Sequence, residues 1–328
     1  DALQRAATKG GPAIGLYTGQ AGIALALADQ GRHDTARRAA SEALTEALGR
    51  RRLDLHAGQA GIILAAIEVA QAAGDEHLLG DALAANERLQ LDARPGSTSW
   101  VDLTQRRGLA HGPTGLALVD VAAHLATGER RHLERAASVL REELDACITT
   151  PSGELDVRDT LNHRALPYLE WGSGGIWGVA QVVERLLGHR IVTTDEVSGL
   201  VRACSSDLYI YGTLAHGRAG LLAVLASSGE APAGEVERQT RLTLERLYLR
   251  EGKLLTPGDG TMRLSSDLCT GAAGVALALH EVWTDTPFLW LPVRHETALR
   301  IASTSIPARG DAVRQEMGDE SPMGIEKR

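Results

Sequence analysis

Aromatic residues are nearly missing from this chain: one Phe, five Tyr and five Trp make up 3% of 328 positions. With hydrophobic residues at 44%, the core must be assembled mostly from Ala, Leu, Val and Ile, a set that suits closely packed helices. Cysteine is scarce too. Cys147, Cys204 and Cys269 are odd in number and widely spaced, which argues against a disulfide framework. No stretch approaches the roughly 20 apolar residues of a membrane-spanning helix. The start carries no basic, apolar, small-residue signal, so no membrane association is expected and a cytoplasmic location is the default. Positive charge is in deficit: the formal net charge is −8 and no Lys/Arg stripe stands out, which argues against a nucleic-acid partner. The chain opens DALQRAATKG without Met and reads as a piece cut from a longer polypeptide.

Glycine, by contrast, is abundant and ordered. Six copies of a Gly-x-x-Gly turn run straight into apolar segments: TGQAGIALALA, AGQAGIILAAI, HGPTGLALVDV, WGSGGIWGVAQ, HGRAGLLAVLA and TGAAGVALALH. The leading glycines are Gly19, Gly58, Gly112, Gly172, Gly217 and Gly271. Each interval holds two helices and a connection, the mark of a repeat architecture.

Between the turns the periodicity changes character. From Asp34 to Arg52, Ala36, Ala39, Ala40, Ala43, Leu44, Ala47 and Leu48 recur at three- and four-residue steps, with Asp34 placed as an N-cap. Leu133, Ala136, Ala137, Leu140 and Leu144 repeat the pattern between Arg130 and Asp145. Segments after the turns, such as Ile23 to Ala28, are apolar nearly all round, as buried helices are. Alternating buried and half-exposed helices predict an all-α fold, an α/α toroid of inner and outer helices over residues 1–308. Residues 145–170 read as a turn-rich insertion or β-hairpin, and 309–328 as a C-terminal tail or loop.

In a closed ring, six helix N-termini would point at one cavity, bringing free backbone N–H groups and partial positive charge that favour a thiolate, enolate or carboxylate. The two residues before each leading glycine should line it: Tyr17-Thr18, His56-Ala57, Ala110-His111, Glu170-Trp171, Ala215-His216 and Cys269-Thr270. Three of the eleven histidines fall in these twelve positions, more than chance supplies.

Over essentially its whole length, through GLYTGQAGIALAL, LDLHAGQAGI, RRGLAHGPTGLAL, LPYLEWGSGGI, LAHGRAGLL and SSDLCTGAAGVALALH, the chain resembles the lanthionine synthetase C-like cyclases. In motif order it is most similar to the cyclase domain of class III lanthipeptide synthetases. The resemblance implies a toroid, usually of seven hairpins, in which cysteine thiols of a precursor peptide add to dehydroalanine or dehydrobutyrine. It also implies partners: the leader-core precursor peptide, and lyase and kinase-like domains on the same polypeptide, with a homo-oligomer left open. The N-terminal sixteen residues or sequence upstream could supply a seventh hairpin.

Zinc-dependent members carry a cysteine two residues before one late glycine and Cys-His before the next. Here those positions are Glu170 and Ala215-His216. One ligand of three survives, so neither a metal nor another cofactor is expected. His111 matches the family's earlier His-Gly motif and Asp54 its aspartate, so the resemblance implies acid/base work for His111, assisted by Asp54 and His216. His56, Glu170, Trp171, Tyr17 and Cys269 are expected to contact the peptide. Cys269 also raises an alternative, a Cys/His/Glu metal site with His216 and Glu170.

Two rivals stand beside a zinc-free cyclase making lanthionine or labionin rings. One is a non-catalytic scaffold that binds the precursor or braces the other domains. The other, a toroid glycosidase, needs paired carboxylates, for which the rim offers Asp54, Glu170 and Asp267.

Overall fold

The computed structural model describes residues 13–94, 96–159, 164–209 and 211–304. Six helices start at the glycine turns: α1 (Gln20–Asp29), α3 (Gln59–Ala73), α6 (Thr114–Thr127), α8 (Ser173–Leu187), α10 (Arg218–Ser228) and α12 (Ala272–Thr284). The intervening helices are α2 (His33–Ala47), α4 (Glu76–Asp92), the short α5 (Thr98–Thr104), α7 (Arg130–Asp145), α9 (Thr194–Ser205) and α11 (Glu235–Leu244), and α13 (His295–Ala302) follows last. The glycine-started helices pack on one another in succession, α1 on α3, α3 on α6, α6 on α8, α8 on α10 and α10 on α12. They form the inner layer of an α/α toroid. Every residue of α3 from Gln59 to Ala70 is buried, whereas α7 buries one stripe through Leu133, Ala136, Leu140 and Leu144. That difference is the one the two periodicities imply.

The second glycine of each turn sets the spacing of the ring. A Cβ at Gly61 would stand 2.0 Å from the Leu55 carbonyl oxygen and 2.7 Å from Leu16 Cβ of the preceding repeat. Gly115 meets Leu55 in the same way, Gly175 meets Leu109, Gly220 meets Leu169 and Gly274 meets Leu214. Glycine there lets each inner helix start against the leucine one repeat back.

A ladder of backbone hydrogen bonds then links the turns. Tyr17 N–H donates to His56 C=O (3.1 Å), His56 to Ala110 (2.9 Å), Ala110 to Glu170 (3.1 Å), Glu170 to Ala215 (3.0 Å) and Ala215 to Cys269 (2.9 Å). The donors and acceptors are the residues two before each leading glycine, so the ladder carries their side chains around one centre.

Residues 287–304 close the opposite end. Arg294 N–H (3.2 Å) and the Thr297 hydroxyl (2.6 Å) donate to Glu68 of α3, and Arg185 of α8 donates to the Thr304 carbonyl at 2.8 Å. The Trp290 indole fills the space beside Gly178, where a Cβ would come within 2.6 Å of the ring.

Three expectations change. Asp34 is not the cap of α2: the N-cap is Arg32 and Asp34 sits in the first turn, where its charge favours the helix dipole instead. The 145–170 insertion is a three-stranded antiparallel sheet, β1 (Ile148–Thr149), β2 (Leu155–Asp159) and β3 (Arg164–Leu166), rather than a hairpin. A second sheet, β4 (Tyr248–Arg250), β5 (Lys253–Pro257) and β6 (Leu264–Ser265), precedes the sixth turn unannounced. The expected tail at 309–328 lies outside the described residues, as do residues 1–12, part of the stretch considered for a seventh hairpin. No helix among the described residues is long and apolar enough to cross a membrane.

Candidate functional site

The ladder residues Tyr17, His56, Ala110, Glu170, Ala215 and Cys269 all line one cavity of about 70 Å³ on the ring axis. Below them the wall is apolar, through Leu109, Leu169, Leu214 and Leu268, and Trp290, Leu291 and Pro292 form its floor. The polar groups therefore sit in a collar above an apolar shaft.

At three of the turns the first inner-helix amides do not face this cavity as free donors. Gln20 and Ala21 N–H donate to Ala13 and Ile14, Gln59 and Ala60 to Arg52 and Leu53, and Gly174 and Gly175 to Pro167 and Tyr168. In each case the chain seven residues upstream folds back and takes up the orphan donors of the helix start. The expectation of open N–H nests is corrected at these three turns, where the helix dipoles and the side chains remain for an anion.

Those side chains converge on Glu170. His111 Nε2 lies 2.9 Å from Glu170 Oε1 and His216 Nε2 lies 2.7 Å from Oε2. His56 Nδ1 stands 3.8 Å from the same Oε1. His111 Nδ1 faces Asp54 Oδ2 at 3.7 Å, and Arg52 donates to that oxygen at 2.6 Å. Asp54 is also a cap, accepting the Ala57 amide at 2.9 Å. The imidazole and indole rings form a belt. Tyr17 stacks on His56 (5.3 Å), His56 tilts against His111 (5.0 Å), and Trp171 stands edge-on to His111 and His216 (both 5.6 Å).

The electrostatics split the histidines. Burial opposes a charge on His111, but Asp54 and Glu170 outweigh it and raise its pKa. His56 moves the other way, lowered first by burial and next by the neighbouring His111. Burial raises the pKa of both carboxylates, yet the histidine hydrogen bonds prevail. Asp54 ends at about 2, helped by the Ala57 amide and Arg52, and Glu170 falls well below the usual carboxylate range. Tyr17 is pushed far up by burial, then by Cys269 and Glu170, and stays a phenol. An acid and a base held apart in this way by their surroundings are a recurring arrangement for proton transfer.

The expectation that His111 and His216 both face the central cavity is corrected in part. His111 stands behind Glu170 and opens on a neighbouring polar pocket with Arg51, Arg52, Asp54, Asp102 and Arg106. His216 reaches Glu170 from the next repeat with 24% of its side chain exposed. Glu170, expected only to contact peptide, is the hub. Asp267 lies outside this group, capping its own turn through the Thr270 amide at 2.6 Å.

The zinc pattern of the resembled family does not fit. Ala215 offers no ligand atom, and both Glu170 oxygens are engaged by imidazoles, far from the soft thiolate set zinc prefers. His56, His111 and Glu170 do bring three donor atoms within 4.8 Å of one another, close enough for a cation. Cys269 is not part of that group, so the Cys/His/Glu alternative is not assembled among the described residues.

Residues 1–294 match the family model described as lanthionine synthetase C-like protein, and the chain belongs to that family. It is 32% identical over 289 residues to a protein of Streptomyces coelicolor described as probable SapB synthase, a match covering 84% of this chain and 30% of that protein. The chain thus spans less than a third of the relative's length. Nisin cyclase, a solved structure, superposes with a TM-score of 0.56 over 92% of this chain and 83% of its own, at 16% identity. At that identity the likeness is one of fold, the α/α toroid.

Proposed function

We propose that this chain is the cyclase domain of a class III-type lanthipeptide synthetase. It promotes Michael-type addition of precursor-peptide cysteines to dehydroalanine or dehydrobutyrine, giving lanthionine or labionin rings without zinc. What supports the reading is one juxtaposition: in a member of the lanthionine synthetase C-like family, a neutral-leaning His56 and a proton-holding His111 flank Glu170 at the cavity wall.

The thiol, with an ordinary pKa near 8.5, gives its proton to His56. The thiolate forms the S–C bond at the β-carbon, and the alkene electron pair becomes an enolate. The proton held by His111 passes across Glu170, which fronts the cavity, to the α-carbon. Return of the His56 proton through Glu170 Oε1 restores the starting state. His216 and Asp54 hold Glu170 and His111 in register, while Tyr17, Trp171 and Cys269 contact the peptide. The precursor and the neighbouring lyase and kinase-like domains are the partners this reading implies.

A bell-shaped pH profile follows. The rate of ring closure should fall at low pH as His56 gains a proton, at a value below the ordinary 6.5, and at high pH as His111 loses one, at a value above it. Counting free thiols against time across pH 5–9 (about two units either side of that value) checks this; a profile that only rises with thiolate formation would remove both histidines from the mechanism. Metal analysis after mild dialysis should give far less than one zinc per chain, unchanged by Cys269→Ala. About one zinc per chain retained after dialysis, and lost in Cys269→Ala, would overturn the zinc-free reaction.

A further inference from the structure

Thirteen large hydrophobic side chains stand exposed among the described residues, and seven of them fall within residues 244–268. That stretch contains the β4–β6 sheet. Tyr248, Leu249, Leu254, Met262 and Leu264 are each half or more open to solvent. Leu249 and Leu254 lie directly opposite each other across β4 and β5, so two apolar side chains share one face at cross-strand distance. β4 is an edge strand, exposed along all three residues, with one row of backbone groups unclaimed by the sheet.

Two contacts tie this surface to the cavity. A Cβ on Gly258, at the end of β5, would lie 3.4 Å from the Thr270 carbonyl, beside the Cys269 rung of the ladder. Leu268 is 43% exposed and yet lines the central cavity. Leu268 thus joins the neighbourhood of the sheet to the wall of the cavity.

We propose that the β4–β6 sheet docks an extended apolar segment of the peptide substrate, which adds to the β4 edge and leads the reacting residues over Leu268 into the cavity. This rests on the reading of the chain as a cyclase acting on a peptide. The edge offers backbone pairing and the Leu249/Leu254 face offers side-chain contact, the two parts of strand addition. Three strands of two to five residues are small beside the about 800 Å² per partner that a stable folded interface buries, which favours a single peptide strand.

The test uses the full-length polypeptide and a fluorescein-labelled decapeptide of alternating Val and Thr that carries neither cysteine nor a dehydrated residue. Fluorescence anisotropy should show saturable binding, weakened about tenfold or more by Leu249→Asp or Leu254→Asp and by Pro at alternate probe positions. Leu91→Asp, at an exposed leucine on α4, should leave it unchanged. Equal binding by Leu249→Asp, or no binding by the wild type, overturns the proposal. So does a dimer in sedimentation that Leu249→Asp dissociates, which would give the face to a second copy. Because the probe cannot cyclise, its binding reads the docking surface alone; a protein that binds the probe yet closes no rings in dehydrated precursor would retain the docking surface while sinking the proposed chemistry.

Discussion

Replacing His111 by Ala is expected to slow ring closure by about 10²–10⁴-fold, the usual worth of a positioned acid or base. His111 is the group on which both carboxylates act: Asp54 and Glu170 together raise its pKa against the cost of burial. Without it Glu170 loses one of its two close imidazole partners and the enolate loses its proton source. Because His111 stands behind Glu170 and not on the central cavity wall, the loss should appear in kcat far more than in KM. The high-pH limb of the rate profile should vanish with it. Alkylating free thiols at timed intervals and weighing the peptide gives both quantities. Unchanged rates and an intact high-pH limb would take His111 out of the reaction.

Gly61→Val should damage the fold severely, destabilising it by about 3 kcal/mol or more. Its new side chain would meet the Leu55 carbonyl at 2.0 Å and Leu16 Cβ at 2.7 Å. The first contact is backbone and the second belongs to the adjoining repeat, so neither can move without shifting the ring. Gly80 provides the contrast. It lies in α4 with nothing within 4 Å of a built Cβ, and Gly80→Ala should stabilise by about 0.5–1 kcal/mol through the unfolded chain's lost freedom. Thermal unfolding of both variants decides; a Gly61→Val protein as stable as wild type would contradict the interlock.

The repeats were legible because their cause is local. A glycine pair at the start of an apolar helix has to appear as a motif wherever inner helices crowd, and the outer helices betray themselves by a one-sided stripe. The leucines Leu16, Leu55, Leu109, Leu169, Leu214 and Leu268, three before each leading glycine, were equally visible in the sequence, but only the packing of Gly61 on Leu16 and its counterparts explains them. Asp34 was misplaced by two positions because a cap residue and a first-turn acid look alike in sequence. The seven-residue backward hydrogen bonds that occupy amides at the starts of α1, α3, α8 and α10 leave no signature in residue types, which is why the cavity looked richer in donors there than it is. The candidate site was legible as a set of positions and not as a circuit. His56, His111, His216 and Glu170 stand within two residues of their glycines, but that Glu170 gathers all three imidazoles depends on the neighbouring order of repeats in the ring. That gathering, with Asp54, raises the pKa of His111, whereas His56 is lowered first by burial and then by His111 itself.

The account's central claim is that this domain closes rings through groups at the cavity wall. The most direct measurement supplies already dehydrated precursor to the full-length polypeptide, wild type or carrying His56→Ala with Glu170→Gln, and counts alkylatable thiols against a protein-free control. The wild type should consume thiols well above the spontaneous rate, and the double variant should fall back to that rate while still binding the peptide. A double variant that keeps the wild-type rate and ring pattern would contradict the account and leave the toroid a scaffold.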